Sequence, residues 1–313
     1  MPQRIRRREI AEGDLDGIVE LLIRGFPARG RNHWINAFKR LSDHLTPAGF
    51  PRFGFLLESK GAPVGASLHI YSSVPVDGEP RIRCNLSSWY VEPEYRSYAT
   101  VLASEGLKQK NVTFFNATPA PHTLKILEAQ GYERYCEGWF AAFPSLSSPV
   151  PGVEIVMATA ETCRDSDLRP FEKELLLSHA SYGCLSVICK VGNRALPFVF
   201  MPRQKFGLLR FAYLVYCPEL SEFTRYAGSL GRFLTKAGYP FVVVDSNGPI
   251  QGLVGKYLDA RPKYFKGPHR PRLGDLAYSE LAMFPVRGDR FWQAWKRNSP
   301  ESNLSIRRWV HSK

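Results

Sequence analysis

Apolar residues recur at helical spacing in two stretches near the start of the chain. The first predicted helix follows Asp14 and ends at Gly25, and the second covers residues 32–43. In the first, the apolar positions follow the i, i+3, i+4, i+7 pattern of a half-buried helix: Leu15, Ile18, Val19 and Leu22. Apolar runs without that spacing predict strands over residues 4–10, 53–58, 64–73, 83–91, 112–116 and 139–143. Further helices are predicted from about Ser97 and over residues 123–130, which gives the order β-α-α-β-β-β-α-β-α-β.

The second half of the sequence repeats part of this order. Residues 215–219 (VYCPE) are similar to residues 90–94 (YVEPE), and each is followed by an amphipathic helix and an apolar strand. In the second half the helix covers residues 223–234 and the strand residues 241–245. The last apolar runs, residues 139–144 and 281–285, also resemble each other and predict a final strand in each half. Four similarities in one order favour an ancient duplication.

A stretch rich in Pro and Ser, residues 144–151, lies near the middle of the chain and has the composition of a linker. It predicts an N-terminal domain over residues 1–145 and a C-terminal domain over residues 152–286. Residues 287–313 are left as a tail, in which Phe291, Trp292 and Trp295 predict a short helix packed on the body.

Composition and charge narrow the class of protein. The 313 residues carry a formal net charge of +13 and 44% hydrophobic residues, which excludes a disordered chain or a coiled coil. No apolar run reaches the ~18 residues of a membrane span. The six cysteines form no Cys-x-x-Cys pair and the histidines form no cluster, so we expect a cytoplasmic protein without a metal site. The positive charge fits either a solvated surface or a polyanionic partner, such as a phosphate-bearing cofactor, nucleic acid or an anionic lipid surface.

The segment over residues 89–102 carries the clearest chemistry. A strand ends there, a turn with Pro93 follows, and a helix begins. Unpaired N–H groups at the start of a helix suit a pyrophosphate, and Arg96 adds positive charge. Ser97, Ala99 and Thr100 are small enough to let a phosphate approach the backbone.

The sequence Val91-Glu-Pro-Glu-Tyr-Arg96 followed by a helix resembles motif A of the GNAT superfamily, the CoA-dependent N-acyltransferases. The element order of residues 4–143, the hairpin with Gly61 and Gly65, and the late helix that ends at Gly131 are also similar to that family. The resemblance implies an α/β (α+β) protein made of two tandem GNAT-like domains. Each would hold a mixed, mostly antiparallel sheet flanked by helices, and the second would be a degenerate copy.

The resemblance also implies roles for individual residues. The co-substrate would be acetyl-CoA or another acyl-CoA. Its pantetheine arm would pair with the strand that ends at Trp89, Tyr90 and Val91, with Asn116 within reach. Its pyrophosphate would lie on the loop formed by Arg96, Ser97, Tyr98, Ala99 and Thr100.

Two departures from the family pattern bear on catalysis. Ala99 and Val101 stand at positions where the family has glycine or another small residue. Leu127 stands where the family often has the tyrosine that protonates the departing thiolate. His122 and Tyr90 are therefore the candidate catalytic residues, and Tyr132 is a further candidate to lie near the thioester.

Three functions remain open from the sequence. The first is an N-acyltransferase, in particular an N-acetyltransferase, that moves the acyl group of acyl-CoA to a small-molecule or peptide amine by direct attack. The second is a non-catalytic tandem protein that binds a ligand or partner. The third is a Fem-type aminoacyltransferase that takes its acyl group from tRNA. Because no basic stripe with interleaved aromatic residues is visible, nucleic acid is the less favoured partner.

Overall fold

The computed structural model describes residues 5–76, 78–104, 109–205 and 209–284. The predicted tail, including the helix around Phe291, lies outside these ranges. Within them the chain forms two mixed seven-stranded sheets flanked by helices. In each sheet all pairs of described strands are antiparallel except one. This confirms the mixed, mostly antiparallel architecture that the sequence predicted.

The first sheet contains six consecutive strands from the first half and one strand from the second. Its spatial order is β1-β2-β3-β4-β5-β14-β6, and β4 and β5 are the parallel pair. The strands are β1 (Ile5–Glu9), β2 (Gly54–Ser59), β3 (Ala62–Val76), β4 (Glu79–Val91), β5 (Val112–Asn116), β6 (Glu133–Cys136) and β14 (Lys263–Lys266).

The second sheet mirrors this arrangement. Its order is β13-β7-β12-β11-β10-β9-β8, and β11 and β12 are the parallel pair. The strands are β7 (Gly138–Ala142), β8 (Val153–Met157), β9 (Leu185–Val191), β10 (Arg194–Lys205), β11 (Leu209–Tyr216), β12 (Val242–Ser246) and β13 (Gly255–Leu258).

The predicted helices of the first half are present, and their apolar stripes are buried. Ile18, Val19 and Leu22 of the first helix are at most 3% exposed. The helix predicted from Ser97 begins two residues later, after a 3-10 turn over Pro93–Tyr98. The single helix predicted over residues 223–234 is two helices that meet at Tyr226. The helices are α1 (Leu15–Gly25), α2 (Arg31–Asp43), α3 (Ala99–Ser104), α4 (Leu124–Ala129), α5 (Ala160–Arg164), α6 (Pro170–Ser181), α7 (Leu220–Arg225), α8 (Ala227–Lys236) and α9 (Glu280–Met283).

The two halves exchange strands. β7 was predicted to complete the first half, but it pairs with β12 and β13 of the second sheet. In return, β14 lies between β5 and β6 of the first sheet. The largest apolar cluster also spans both sheets, since it contains Phe115 and Phe265 of the first sheet and Tyr213 and Val243 of the second. Each sheet therefore contains one strand from the other side of the linker, and a division into folding units at residue 150 stays a prediction.

The linker itself is packed against α8. A Cβ atom added at Gly228 would lie 2.5 Å from the carbonyl oxygens of Ser147 and Ser148, and one at Gly231 would lie 2.2 Å from the amide nitrogen of Ser145. Only glycine permits such an approach between backbones. The segment thus joins the halves as an ordered strap.

One predicted element is of the wrong type. Residues 281–285 were expected to form the last strand of the second half, but residues 280–283 form the helical turn α9. All four of its side chains are buried. A fully buried run of this length has no periodicity that separates a strand from a helix, which explains the error.

Candidate functional site

The first sheet opens between its two parallel strands. The pairing of β4 with β5 ends at Asn85 and Phe115, although β4 continues to Val91. We call the gap between residues 86–91 and the end of β5 the first opening. A β-bulge bends β4 there, because Ser88 and Trp89 together oppose one residue of β3. Ser88 adopts the left-handed conformation, with φ of 52°. The sheet diverges at the place that the resemblance implied for the pantetheine arm.

A cavity of about 360 Å³ lies at the first opening. It brings together residues from β3, β4, the end of β5, the α4 region, the end of α1 and the start of α9. Among the lining residues are Arg29, Ser67, His69, Ser87, Trp89, Tyr90, Arg96, Asn116, Thr118, His122, Leu127, Tyr132 and Glu280.

Five of the ten predicted site residues line this cavity: Trp89, Tyr90, Arg96, Asn116 and His122. Trp89, Tyr90 and Asn116 are half-buried, whereas Arg96 and His122 are exposed. The Tyr90 ring packs edge-on against Phe26, with 6.4 Å between ring centroids.

The other five predicted residues do not line the cavity. Val91 is buried in a small apolar cluster with Leu57 and Leu102. Ser97, Tyr98, Ala99 and Thr100 lie in the 3-10 turn and at the start of α3, and apart from the half-buried Ala99 they are exposed. Their predicted contact with a pyrophosphate stays a prediction. Arg96 makes no ion pair or hydrogen bond with any residue in the described ranges, so its guanidinium is available to an anion.

The position of the missing tyrosine has a neighbour that can supply a phenol. Leu127 is buried and lines the cavity, as does Tyr132, whose backbone N–H donates to the Leu127 carbonyl oxygen at 3.0 Å. Burial raises the pKa of Tyr132 well above its ordinary value, which keeps the phenol protonated at neutral pH. Tyr132 therefore has the protonation state that a proton donor needs.

The second half contributes a carboxylate to the cavity that the sequence did not indicate. Glu280 is 7% exposed and lines the cavity, and its carboxylate accepts hydrogen bonds from the Ser87 and Thr118 hydroxyls. Its backbone N–H donates to the side-chain oxygen of Asn85 at 2.7 Å. Burial raises the pKa of Glu280, although the two hydroxyl donors oppose the shift.

Glu280 belongs to a stretch that contacts both sheets, and we call residues 274–284 the crossing segment. On the first sheet, Arg83 forms an ion pair with Asp275 at 3.0 Å and donates to the Ala277 carbonyl oxygen at 2.6 Å. Arg83, Asn85 and Ser87 alternate along β4, so all three lie on one face and hold the crossing segment there. Although burial opposes it, the charge of Arg83 helps to hold the pKa of Asp275 below its ordinary value.

The second sheet opens at the equivalent position. The parallel pairing of β11 with β12 ends at Tyr213 and Val243, although β11 continues to Tyr216 and β12 to Ser246. We call this gap the second opening. The crossing segment pairs with β11 there, because the Leu276 N–H donates to the Val215 carbonyl oxygen at 2.7 Å. Since β10 occupies the other edge of β11, the crossing segment takes the edge that a pantetheine arm would need.

A buried ion pair also occupies the second opening. Asp245, at the end of β12, lies 3.1 Å from the Lys263 ammonium, and their side chains are 2% and 1% exposed. The Tyr213 hydroxyl donates to the same carboxylate. Lys263 belongs to β14 of the first sheet, so the pair ties the two sheets together.

The described ranges lack both a metal site and a membrane-spanning helix. These residues contain no group of three or more His, Cys, Asp or Glu side chains placed to hold a metal ion. Nor do they contain a helix long and apolar enough to cross a membrane. The six cysteines are all free and buried.

Comparison with known proteins gives the fold but not a close relative. No family model matches the sequence, and no curated protein is significantly similar to it. Among solved structures, a putative acetyltransferase from Pyrococcus horikoshii has a TM-score of 0.54 at 15% identity, covering 90% of this chain and 95% of its own. A GCN5-related N-acetyltransferase from Anabaena variabilis has a TM-score of 0.56 at 12% identity, covering 84% of this chain and 72% of its own. The chain has the fold of these acetyltransferases, which confirms the fold that the motif-A resemblance implied.

Proposed function

We propose that this protein is an N-acyltransferase that moves an acyl group, in particular acetyl, from acyl-CoA to an amine. The observation that carries the proposal is the cavity at the first opening. Trp89 and Tyr90 from β4 and Asn116 from the end of β5 meet there, together with Arg96 from the following turn. In a protein with the GNAT fold, this is where an acyl-CoA thioester and an amine acceptor would have to meet.

The residues at the first opening suit the chemistry of a direct attack. The neutral amine attacks the thioester carbonyl carbon, a C–N bond forms, the C–S bond breaks, and the thiolate leaves. The thiolate of CoA has roughly the basicity of a free thiol, with a pKa of about 8.5, so it leaves at neutral pH with modest assistance. Two cavity residues are candidates to protonate it: the buried Tyr132 and the exposed His122.

Leu127 favours one alternative function. A buried leucine in the family's usual tyrosine position is compatible with a protein that binds a ligand at the first opening without turning it over. This alternative shares the binding step and differs only in the absence of acyl transfer. Binding and turnover therefore have to be measured separately.

The experiment is a calorimetric titration with acetyl-CoA, followed by a thiol-release assay across a panel of primary amines. We expect one acetyl-CoA per chain. Arg96→Ala should weaken binding by about 1–3 kcal/mol, the range of a hydrogen bond to a charged group. Arg225→Ala is the matched control, because it removes an exposed arginine at the end of α7, in the second half of the chain.

Each outcome has a distinct meaning. If Arg225→Ala weakens binding as much as Arg96→Ala, the cofactor is attracted only by overall positive charge. If acetyl-CoA binds but no amine is acylated, the protein is the non-catalytic binding module. If acetyl-CoA does not bind at millimolar concentration, the acyl-CoA proposal is wrong.

A further inference from the structure

Glu280 is a buried carboxylate that lines the cavity, and the cations Arg29 and Lys263 favour its charged form from a distance. Its oxygens accept two hydroxyl hydrogen bonds, from Ser87 and Thr118, and no ion pair joins it to a residue in the described ranges. A carboxylate retained in this state costs stability unless a positive group arrives to share it. The cavity therefore has one place that fits a cation.

From this placement we propose that Glu280 receives the ammonium group of the acceptor and removes its proton before acyl transfer. The inference rests on the proposed function, and it assigns to the second half of the chain a catalytic residue of the first half's site. The acceptor class that it implies is a primary alkylamine, which is as basic as a lysine side chain, with a pKa of roughly 10.4. Such an amine arrives protonated and cannot attack until it loses that proton.

The proton and the electrons balance along this route. The ammonium N–H passes its proton to a Glu280 oxygen, and the freed nitrogen lone pair forms the C–N bond. The acylated nitrogen then loses its second proton to water, the C–S bonding pair leaves on the thiolate, and the thiolate takes one proton from Tyr132, which water reprotonates, or directly from water. Glu280 then returns its proton to solvent through the cavity. The net products are the amide, CoA thiol and one proton.

The surroundings of Glu280 are suited to this step. Burial favours the protonated carboxyl, and the Ser87 and Thr118 hydroxyls favour the carboxylate, so the two forms are brought closer in free energy than in water. The charged and titratable groups that act on it come from several elements. They are Arg29 after α1 and Lys263 of β14, which favour the carboxylate, and the cavity residues His69, Tyr90, Arg96, His122 and Tyr132.

The crossing segment explains how so distant a residue is held in place. Glu280 is the first residue of α9, and its backbone N–H is bonded to Asn85 of β4. The Leu281 carbonyl oxygen accepts from Arg203 of β10 at 2.8 Å, and the Met283 carbonyl oxygen accepts from Arg40 of α2 at 2.8 Å. Both halves thus fix the short turn that carries the carboxylate.

The test compares Glu280→Gln with the wild type in acetyl-CoA-dependent acylation of benzylamine and of aniline. Benzylamine is protonated at pH 7 and needs a base, whereas aniline is already neutral. For benzylamine we expect kcat to fall by about 10²–10⁴, the usual contribution of a placed acid or base. For aniline we expect a loss of less than tenfold. Glu172→Gln is the matched control, since Glu172 is equally buried but lies in α6, and it should match the wild type with both amines.

A second variant separates proton removal from a structural role. Ser87→Ala removes one hydroxyl donor, so the carboxylate is favoured less and the acid limb of the kcat/KM profile should move to higher pH. A merely structural role for Glu280 would lower the melting temperature without moving that limb.

The outcomes distinguish the inference from the proposed function. Suppose that the wild type acylates benzylamine. If Glu280→Gln then loses activity to the same extent with both amines, or keeps full activity with both, the inference is wrong and the acyltransferase function stands. If the wild type binds acetyl-CoA but acylates neither amine, the proposed function fails and the inference falls with it. A selective loss with benzylamine, together with the shifted limb in Ser87→Ala, supports both.

Discussion

The two openings have the same local strand geometry, but one contains a cavity and the other is filled by the chain itself. In each sheet the parallel strands pair at their first residues and then diverge. At the first opening a cavity of about 360 Å³ remains between them. At the second opening the chain's own crossing segment pairs with β11, and Asp245, near the end of β12, forms an ion pair with Lys263.

The two openings differ in what satisfies the backbone groups of their diverging strands. A diverging pair of strands leaves backbone N–H and C=O groups without partners, and these groups must be satisfied by a ligand, by water or by the chain. The second opening is satisfied from within, by residues 274–276, so it contributes stability. Under the proposed function the first is satisfied by the bound acyl-CoA, and the same crossing segment supplies Glu280 to it.

The equivalent residues at the ends of β5 and β12 give the largest expected contrast. Asp245→Ala should lower the free energy of unfolding by about 3–5 kcal/mol, because it leaves the Lys263 ammonium buried without a counter-charge. Asn116→Ala should cost less than about 1 kcal/mol, since Asn116 gives up only one hydrogen bond, to the Thr118 amide at 3.2 Å. Urea unfolding measures both.

The same two variants should separate in the opposite sense when binding is measured. Asn116→Ala is expected to weaken acetyl-CoA binding, whereas folded Asp245→Ala should bind as the wild type does. If Asp245→Ala instead abolishes binding at a temperature where it is fully folded, the second opening is not merely structural.

Acid should weaken both regions through buried histidines. Burial lowers the pKa of His69, beside the first opening, to about 3, and that of His179, which accepts from the Tyr278 N–H at 3.0 Å, to about 4. The unfolded chain binds these protons near pH 6.5 and the folded chain does not. Stability is therefore complete above pH 6.5 and is lost as the pH falls towards 4, by about 1.4 kcal/mol per pH unit for each histidine.

Unfolding by urea at pH 7, 6 and 5 tests this expectation, and replacement of each histidine assigns it. His69→Gln and His179→Gln should each remove about 1.4 kcal/mol per pH unit from the slope below pH 6.5. A slope that neither variant changes would mean that other groups, such as carboxylates, His33 or His44, dominate the acid loss. The half-buried His33, whose pKa burial lowers to about 4, acts in the same direction.

Much of the fold was accessible from the sequence, because its signals are local. The apolar spacing of α1 depends only on neighbouring residues, and the structure buries Ile18 and Leu22 as that spacing requires. The place of the first opening, at the strand that ends with Trp89, Tyr90 and Val91, followed from the resemblance carried by the motif around Pro93 and Arg96. These residues occur close together in the chain, so one sequence window contains them all.

The exchange of strands and the role of Glu280 were not accessible, because they depend on distant pairing. β7 and β14 are short strands whose sequences carry no sign of which sheet they join. Glu280 lies almost 200 residues after Ser87, its hydrogen-bond partner, in a buried run without periodicity. Only the placement of the crossing segment against β4 reveals it.

The last comparison concerns Gly274, where the crossing segment meets β11. Its carbonyl oxygen accepts from the Cys217 N–H at 2.9 Å, its φ is 78°, and a Cβ atom there would lie 2.6 Å from the Cys217 sulfur. Gly274→Ala should lower the free energy of unfolding by about 1–2 kcal/mol for the left-handed backbone alone, and the contact with Cys217 adds to this cost.

Gly49→Ala is the control. Gly49 has a φ of 83° and no atom within 4 Å of the added Cβ, so this variant isolates the backbone cost. If the crossing segment closes the second opening as a fixed strand, Gly274→Ala will be the less stable variant and acetyl-CoA will still bind once per chain. A second bound acetyl-CoA in Gly274→Ala would show instead that the crossing segment covers a working cofactor site.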